Sequence, residues 1–452
     1  MLFAAAAKQE FKAKDKTSGA MSGVISLCGN VYAGKPDWVD AAEHIKTINF
    51  AKSVCSEMAR LATLDIGVTV EGSARAKWLQ ERVDEAYFNL RHWTEFGCAY
   101  GTVILKPNGD DVDLFTPDRF MVTNDDSGEI NGVIFQTQAE ADDRYYTRLE
   151  YHRFTADGKY AVSNRCYVAK SKDKVGAGVD IDATPWAGML EDAEMTGVEK
   201  PLFGVFRTPS ANNVDISSPL GLPVFWDALQ ELKDLDIAYS RNSKEIWDSK
   251  RTVLLDSDRL FPTGARNVEG FRNAANEMGL PDYVRVVDGD DGGDVYHEIN
   301  PALQTGERLT GINALLSQIG FKCGFSNGYF VFNEKTGMVT ATQVESDDRR
   351  TIQTIKDVRD KLESCLDGLI YALDKFADLY DLAPLGTYEV NYDFGDITYN
   401  EDEDRARWLA YVSQGFVPMW YYLHKFEGMS EEDAKALIAE AQPPNVLFGG
   451  EE

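Results

Sequence analysis

LLSQIGFKCGFSNGYFVFNEKTGMVTATQVESDDRRTIQTIKD, residues 315–357, joins the end of one predicted helix to the start of a much longer one. The first helix should span about residues 306–319. Apolar residues then recur at helical spacing from Ile352 to Tyr380, which predicts one long helix with a single buried face. Between the two, GYFVFNEKTGMVTA has the pattern of a hairpin. The stretch therefore predicts helix, hairpin and long helix in that order.

A further helix and a small insert precede this stretch. After a segment punctuated by Pro and Gly, the sequence predicts a helix of about seven turns that ends near Lys250. From Glu231 to Arg251 it carries five acidic and five basic residues, so it is locally neutral. Residues 252–301 contain the strand-like runs TVLLD and YVRVVDG on either side of a short helical piece.

The N-terminal half predicts helices combined with antiparallel strands. Apolar spacing predicts one helix over Asp37–Leu64 and a second from Arg75 to about Glu95, with strand-like IGVTVEG between them. Short strands with Asn-Gly, Asp-Ser-Gly and Asp-Gly turns follow, as far as residue 169. Residues 170–200 show little periodicity and should form a surface excursion. The predicted fold class is α+β.

The C-terminal end concentrates negative charge. After Pro384 the strand-like TYEVNYDF leads to the acidic NEDED and two predicted closing helices. Residues 387–452 hold fourteen acidic and four basic residues. The chain as a whole has a net charge of −28 over 452 residues. Such a charge disfavours a clamp that grips nucleic acid by its phosphates.

Composition predicts a soluble globular protein. With 44% hydrophobic and 27% charged residues, the chain can build two or three packed units of roughly 150 residues each. The six cysteines are scattered without a Cys-x-x-Cys pair, which is typical of a reducing compartment. The N-terminal apolar run lacks the features of a signal peptide, and the aromatic run 408–423 is too short to span a bilayer.

One literal enzyme motif occurs, GFSNG at residues 324–328. A Gly-x-Ser-x-Gly nucleophile elbow needs a strand before the serine and a helix after it, so that the hydroxyl stands on a strained turn. Here a helical pattern precedes Ser326 and a strand-like pattern follows it. The pattern therefore favours a turn that ends a helix at Gly324, with a serine hydrolase using Ser326 as the alternative.

Other catalytic and metal-binding signatures are weak. The five histidines have no His-x-x-x-His spacing, and no phosphate-binding Gly-x-x-x-x-Gly-Lys-Ser/Thr loop occurs. The acidic run DGDDGGD at 288–294 lacks the alternation and terminal Glu of a calcium loop, so a solvated turn is favoured there over a cation site. We predict no catalytic residue, no metal and no cofactor.

Aromatic and basic residues cluster in the hairpin of the opening stretch. Tyr329, Phe330 and Phe332, with Lys322 and Lys335 nearby, could stack against a polymer. On composition alone, a hydrophobic hairpin face is the favoured interpretation.

The order of these elements, together with four strings, resembles the portal proteins of tailed bacteriophages, the head-to-tail connectors. Three of the strings are the opening stretch 315–357, FGCAYGTVILKPNGDDVDLFTPDRFMVTNDDSGEINGVI at 96–134, and RTPSANNVDISSPLGLPVFWDALQELKDLDIAYSRNSKEI at 207–246. The fourth is VNYDFGDITYNEDEDRARWLAYVSQGF at 390–416, followed by MSEEDAKALIAEA. The resemblance covers roughly residues 40 to 440 through the series of strings rather than through any one of them, and residues 170–200 fit no family element.

The resemblance implies an α+β ring subunit with an α/β wing, a helical stem, a small α/β clip, a tunnel loop and a short helical crown. In this sequence the implied regions are the wing at 1–222, the stem helix at 223–248, the clip at 249–302, the second stem helix at 303–324, the tunnel loop at 325–341, the long wing helix and strand at 342–398, and the crown and tail at 399–452.

The resemblance also implies a function. Portal proteins form a ring, usually a dodecamer, at one capsid vertex, through which double-stranded DNA is packaged and ejected. The expected partners are further copies of the chain, double-stranded DNA, the terminase motor, a head–tail adaptor, and the major capsid and scaffolding proteins, with no membrane. The expected location is the virion, after assembly in the bacterial host cytoplasm. The alternatives are another capsid or baseplate component, or the Ser326 hydrolase.

Candidate residues follow from the implied regions. The residues expected to face DNA from the tunnel loop are Asn327, Tyr329, Phe330, Phe332 and Lys335. Lys244, Lys250 and Arg251 would supply limited positive charge near the junction of stem and clip. A channel must let a polyanion slide, and strong phosphate binding would slow it at every step, so the acidic balance suits a conduit.

Overall fold

The computed structural model describes residues 2–109, 111–249, 252–256, 283–287, 296–299, 302–332, 341–395 and 401–441. Helices make up 46% of the chain and strands 22%, which confirms the predicted α+β class. The chain divides into two units, Met1–Asp393 and Phe394–Glu452. Within the described residues, no helix combines the length and the apolar character that crossing a bilayer requires.

Two helices of the first unit begin at a serine that caps the first turn, and one of them ends at a glycine. Ser18 and Ser73 each accept a hydrogen bond from an amide in the first turn of the helix that follows. Gly101 ends the fourth helix in a left-handed conformation that favours glycine. The described helices are α1 (Leu2–Phe11), α2 (Gly19–Tyr32), α3 (Phe50–Ala62), α4 (Ala74–Tyr100), α5 (Leu229–Asp248), α6 (Thr305–Lys322) and α7 (Ala341–Tyr380).

The strands of the described residues form one large sheet and three small ones. The strands are β1 (Ile66–Gly72), β2 (Thr102–Asn108), β3 (Asp111–Phe115), β4 (Phe120–Asp126), β5 (Glu129–Ala141), β6 (Arg144–Phe154), β7 (Tyr160–Ala169), β8 (Ala177–Val179), β9 (Asp192–Met195), β10 (Gly204–Arg207), β11 (Thr252–Asp256), β12 (Tyr283–Val287), β13 (Tyr296–Ile299) and β14 (Tyr388–Phe394). The large sheet has the order β4-β5-β6-β7-β8, with β9 also paired to β7. The small sheets have the orders β1-β14, β10-β2-β3 and β12-β11-β13.

The long helix α7 packs closely on strands β10 and β2. Two glycines allow this approach, because a Cβ on Gly204 would overlap the carbonyl oxygen of Cys365, and one on Gly368 would lie 2.9 Å from the Cα of Gly204. Leu366, Leu369 and neighbouring apolar residues of α7 are buried at this contact. The helical stripe predicted from the sequence is therefore buried in the core from Ile355 to Leu373, whereas Tyr380 at its end is 56% exposed.

Two buried arginines tie α7 to the ends of shorter helices. Arg359 on α7 donates hydrogen bonds to the carbonyls of Leu61, Ala62 and Leu64, at the end of α3. Arg75, in the first turn of α4, donates to the carbonyls of Asp374 and Pro384 and to the carboxylate of Asp378. Arg359 thereby satisfies carbonyls that the end of α3 leaves without partners.

The predicted helix over Asp37–Leu64 is wrong in its first half, since α3 begins only at Phe50. Asn49 adopts a left-handed backbone conformation, with φ of 52°. The amides of Lys46 and Ile48 donate to Ser240 and Asp236 of α5 instead of to carbonyls within a helix. Tertiary hydrogen bonds thus override the apolar spacing of this segment.

Further findings concern shorter elements. Residues 170–200, predicted to form a surface excursion, are largely exposed and contain the strands β8 and β9, which pair with β7 of the large sheet. The C-terminal unit has three described helices where two were predicted: α8 (Glu401–Ser413), α9 (Met419–Glu427) and α10 (Glu431–Ala441). Helices α1 and α2 had no counterpart in the sequence interpretation. The helical piece of the insert and the acidic run 288–294 lie outside the described residues.

A buried ionic cluster joins β2 to the large sheet. Glu150 on β6 pairs with Lys106 of β2 at 3.1 Å and with Arg148 at 3.0 Å. Its other oxygen lies 2.8 Å from Nε2 of His152, whose Nδ1 lies 3.0 Å from the hydroxyl of Tyr160. Burial opposes ionisation of Glu150, but the two cations and the His152 hydrogen bond outweigh it and hold the pKa of this carboxyl well below its usual range.

We expect His152 to make stability depend on pH. Burial lowers the pKa of His152, although the hydrogen bond and charge of Glu150 oppose that shift, and Lys106 and Arg148 add to it. Because the unfolded chain then binds a proton more readily, the contribution of His152 is present above its unfolded pKa of about 6.5 and is lost as pH falls. Urea unfolding at pH 7.5 and 5.5 should therefore show a smaller loss for His152→Gln than for the wild type. An equal loss in both proteins would contradict this assignment.

Candidate functional site

Helices α5 and α6 form an antiparallel pair, which is held at both ends by charged side chains. Near the start of α5, Glu231 pairs with Lys322 at 2.6 Å and accepts a hydrogen bond from Gln318 at the end of α6. Near the end of α5, Glu245 pairs with Arg308 and accepts the amide of Gln304, 2.8 Å away, at the start of α6. Each glutamate therefore fixes the register of one end of the pair.

The two helices present narrow apolar stripes at the level of the body. On α5, Leu232 and Leu235 are buried, and on α6 Ile312, Leu316 and Ile319 are buried. These positions recur every three or four residues, which is the spacing of one helix face. Further along α5, from Arg241 to its C-terminus, no described side chain is buried. The pair is therefore packed into the core only at one end, where its apolar stripe lies, and it extends away from the core toward the other end.

The buried Asp236 attaches α5 to the segment before α3. Its carboxylate accepts hydrogen bonds from the indole of Trp38 at 2.9 Å and from the amide of Ile48 at 3.0 Å. One turn later, the hydroxyl of Ser240 accepts from the amide of Lys46. Residues 38–48 thus form a strap across α5, and the position of α5 depends on these polar contacts as well as on apolar packing.

A small sheet lies between the two helices in the chain. Its central strand β11 pairs in parallel with β12 and antiparallel with β13. Thr252, four residues after the end of α5, pairs with Tyr283 on one side and Ile299 on the other. The chain thus leaves the body along α5, forms this sheet, and returns along α6.

Residues 323–332 follow α6, and we call them the loop root. Phe325 anchors this segment. The Phe325 ring is fully buried and lies 4.9 Å from the rings of both Tyr329 and Phe330. Phe330 in turn contacts Phe50 of α3 edge to face, at 5.2 Å. This aromatic group fixes the loop root against the start of α3.

Polar contacts join the loop root to α3 and α7. The hydroxyl of Tyr329 donates to Glu57 of α3, which also forms a two-point pair with Arg60. Hydrogen bonding from Arg60 lowers the pKa of Glu57, whereas burial and the bond to Glu57 raise the pKa of Tyr329 to about 12. On the other side, the carbonyl of Gly324 accepts from Thr354 at 2.8 Å.

The ends of α6 and α7 are also linked directly. The guanidinium of Arg350 lies 3.8 Å from the ring centroid of Phe321 and donates to the Phe321 carbonyl at 3.0 Å. Arg350 therefore joins the C-terminal turn of α6 to α7 directly.

The structure separates the predicted site residues into groups. Asn327 is exposed and hydrogen-bonded to Ser317, and Phe332 is 56% exposed, with its amide bonded to Asn313. Tyr329 and Phe330 contact α3, as described above. Lys244 is exposed on α5. Lys250, Arg251 and Lys335 lie outside the described residues.

The predicted hairpin is not formed in its first strand. Residues 329–332 are turns and bends, because the aromatic side chains pack on α3 and α6 and the amide of Phe332 bonds to a side chain. The remainder of the proposed hairpin, together with Thr340 of the predicted loop, lies outside the described residues.

Ser326 has the surroundings of a structural turn. Its hydroxyl is buried and lies 2.8 Å from that of Thr351, which also accepts the Ser326 amide. A helix precedes it and turns follow, which is the reverse of the strand-then-helix context of a nucleophile elbow. No group of three or more His, Cys, Asp or Glu side chains is arranged to hold a metal in the part of the chain that the structure describes.

Sequence reasoning missed the long-range contacts that anchor the loop root and α5. Glu57, Thr351 and Asp236 are polar residues on helices, and their partners Tyr329, Ser326 and Trp38 are between 25 and 272 residues away in the chain. Periodicity marks buried apolar faces and gives no signal for such pairs. The only local hint is the polar Asp236 within the apolar stripe of α5.

Comparison with known proteins adds no family to this description. No protein-family model matches the chain, and no curated protein matches it. Its function therefore has to be inferred from the geometry given above.

Proposed function

We propose that the chain is a portal protein of a tailed bacteriophage. It would form a homo-oligomeric ring, a dodecamer by the family's usual number, at one capsid vertex, through which double-stranded DNA is packaged and ejected. The terminase motor would dock on the ring before the tail adaptor does, and the major capsid and scaffolding proteins would surround it. The protein would be found in the virion after assembly in the host cytoplasm.

One observation carries the proposal. An antiparallel helix pair leaves the α+β body, and a small three-stranded sheet lies between its two helices in the sequence. After the second helix, the chain passes through the anchored loop root into a helix of 40 residues. This is the order stem, clip, stem, tunnel loop and wing helix that the sequence resemblance implies. In the proposal α5 and α6 are the stem and β11 to β13 belong to the clip.

The anchored loop root suits a segment that works beside moving DNA. A loop that contacts a passing polymer has to bend without pulling its flanking helices from the body. Here Phe325 and Tyr329 hold the loop root against the body, and Arg350 joins α6 to α7 directly. Among the candidates for DNA contact, Asn327 and Phe332 are exposed and so are best placed for that role in the proposal.

The charge distribution is also compatible with a conduit. The net charge of −28 disfavours tight binding to phosphates, and the stem sequence is locally neutral. Within the stem, Glu231 and Glu245 are each paired with a cation, so less negative charge remains where subunits would crowd together.

Negative-stain electron microscopy of the purified full chain tests the proposal. We expect rings with a central hole wide enough for duplex DNA, because the stem helices of adjacent copies would line it. If the chain forms no ring alone, it should do so on co-expression with the capsid and scaffolding proteins encoded beside it. Closed assemblies without a channel, or a monomer under both conditions, would contradict the portal assignment and favour another capsid or baseplate component.

A further inference from the structure

The hydrogen bonds around His152 fix the position of each proton at the edge of the buried ionic cluster. Because the pKa of Glu150 lies well below its usual range, its carboxylate is ionised and only accepts, so Nε2 of His152, 2.8 Å away, carries a hydrogen. The other nitrogen of the neutral ring, Nδ1, then accepts from the hydroxyl of Tyr160 at 3.0 Å. The Tyr160 oxygen accepts the amide of Leu202 at 3.1 Å. A directed chain of hydrogen bonds therefore runs from Leu202 through Tyr160 and His152 to Glu150.

This hydrogen-bond chain is complete only while His152 is neutral. The Tyr160 side chain is fully buried, and among the described residues its hydroxyl has Nδ1 of His152 as its acceptor. A second proton on the ring would turn Nδ1 into a donor, so the Tyr160 hydroxyl would lose the group to which it donates. A buried hydroxyl without an acceptor is costly. Protonation of His152 therefore favours a conformation in which Tyr160 and His152 separate.

Leu202 belongs to a short segment that joins the large sheet to α7. We call residues 199–203 the linking segment. On one side, the amides of Glu199 and Lys200 donate to the hydroxyl of Tyr371 on α7, at 2.8 and 3.4 Å. On the other side, the amide of Leu202 donates to the sheet through the hydrogen-bond chain described above. The polar attachment of this segment to the sheet thus depends on the state of the His152 ring.

Groups from four strands and from the linking segment surround the His152 ring. They are Glu150 and Arg148 of β6, Lys106 of β2, Tyr160 of β7, Phe135 of β5 and Phe203 of the linking segment. Burial lowers the pKa of His152, the hydrogen bond and charge of Glu150 oppose this shift, and the two cations add to it. The ring is therefore neutral at pH 7 in the folded protein, and any conformation that exposes it to water binds a proton more readily.

We propose that the linking segment is an acid-sensitive connection between the large sheet and α7, and that His152 is the group that senses pH. A proton from the solvent binds Nδ1 of His152, the hydrogen bond from Tyr160 is lost, and the linking segment leaves the sheet. Strands β5, β6 and β7 keep their own ladder of backbone hydrogen bonds, so this release is local and does not require the sheet to unfold. The proposal does not depend on the portal assignment.

Hydrogen–deuterium exchange of the full chain at pH 7.5 and pH 5.0, read by mass spectrometry, tests this proposal. Protection is corrected for the intrinsic pH dependence of amide exchange. Because the released ring titrates at about pH 6.5, protection of the linking segment should fall by about tenfold or more at the lower pH. Peptides from β6 and from the middle of α7 should keep their protection. Unchanged protection of the linking segment, or an equal loss in all three peptides, would overturn the proposal.

A matched pair of histidine variants shows whether His152 is the sensor. In His152→Gln the side-chain amide can donate to Glu150 and accept from Tyr160, but it takes up no proton in this pH range. This variant should abolish the loss of protection at pH 5.0. His92→Gln replaces an exposed histidine of α4 and should retain the loss. If His152→Gln retains the loss, or if His92→Gln abolishes it, the proposal is wrong.

Tyr160→Phe tests whether the signal passes through the tyrosine hydroxyl. Without that hydroxyl the amide of Leu202 loses its acceptor at either pH, so protection of the linking segment should already be low at pH 7.5. The further fall at pH 5.0 should be smaller than in the wild type. Circular dichroism verifies that the variant is folded. Exchange like that of the wild type at both pH values would overturn the proposal, because Tyr160 would then not connect His152 to the linking segment.

Discussion

Replacement of Glu150 by alanine is expected to destabilise the first unit by about 3–5 kcal/mol. The carboxylate is the anion shared by Lys106 and Arg148, and both cations are almost fully buried. Removing it would leave two uncompensated charges between β2 and the large sheet and would also remove the partner of His152. Urea unfolding followed by far-ultraviolet circular dichroism measures the loss.

Two further variants separate the effect of charge from that of lost volume. Glu140→Ala removes an exposed carboxylate from the neighbouring strand β5 and should change the free energy of unfolding by less than about 0.5 kcal/mol. Lys106→Met/Glu150→Ala leaves one stranded cation instead of two, so it should recover part of the stability lost in Glu150→Ala. Similar small losses for Glu140→Ala and Glu150→Ala would contradict the ionic role of Glu150.

Replacement of Phe325 by alanine is expected to cost about 3–5 kcal/mol, the range found for large buried aromatic side chains. The Phe325 ring is fully buried and contacts Tyr329 and Phe330, so its loss opens a cavity beneath the loop root. Because Phe330 reaches Phe50 through this group, the attachment of the loop root to α3 should weaken as well. The midpoint of urea unfolding should fall accordingly.

Phe332→Ala is the matched control for this prediction. Phe332 belongs to the same segment but is 56% exposed, so its truncation should change the free energy of unfolding by only about 0.5 kcal/mol. If both variants lose the same stability, Phe325 is not the anchor of the loop root. If Phe325→Ala is as stable as the wild type, the aromatic group does not hold this segment.

Long elements with a sustained period could be predicted from the sequence. The stripe from Ile352 to Tyr380 belongs to a helix of 40 residues, and the helix predicted from Arg75 to about Glu95 is the larger part of α4. In both helices, each turn places apolar residues on the same buried face, so the helical spacing is repeated often enough to be recognised in the sequence. The α+β class followed from these helices together with the turn-punctuated strands.

Elements whose conformation depends on distant partners could not be predicted in this way. Helix α5 begins at Leu229 rather than near residue 223, because the amides of Gly221 and Val224 donate to Thr102 and Cys98 of the body. Residues 38–48 have helical apolar spacing, yet they bond to α5. Such contacts join parts of the chain more than 100 residues apart and leave no local pattern.

The candidate site was likewise predictable in part only. Its aromatic residues were identified from composition, since Tyr329, Phe330 and Phe332 stand out in a short segment. Which of these rings contact the body was not predictable, because those contacts are made with Phe50 and Glu57 of α3. An alternation of aromatic residues suggests a strand, but here each ring is placed by a different tertiary contact.

The six cysteines make the chain convenient for site-specific labelling. All are buried free thiols, and burial raises the pKa of Cys28, Cys98 and Cys323 to about 12. Because the thiolate is the form that reacts with maleimides, these side chains are protected twice, by inaccessibility and by protonation. A single Lys244→Cys substitution would thus place one reactive thiol on an exposed position of α5 in the otherwise unaltered sequence. A fluorophore there could report on the helix pair without removal of any native cysteine.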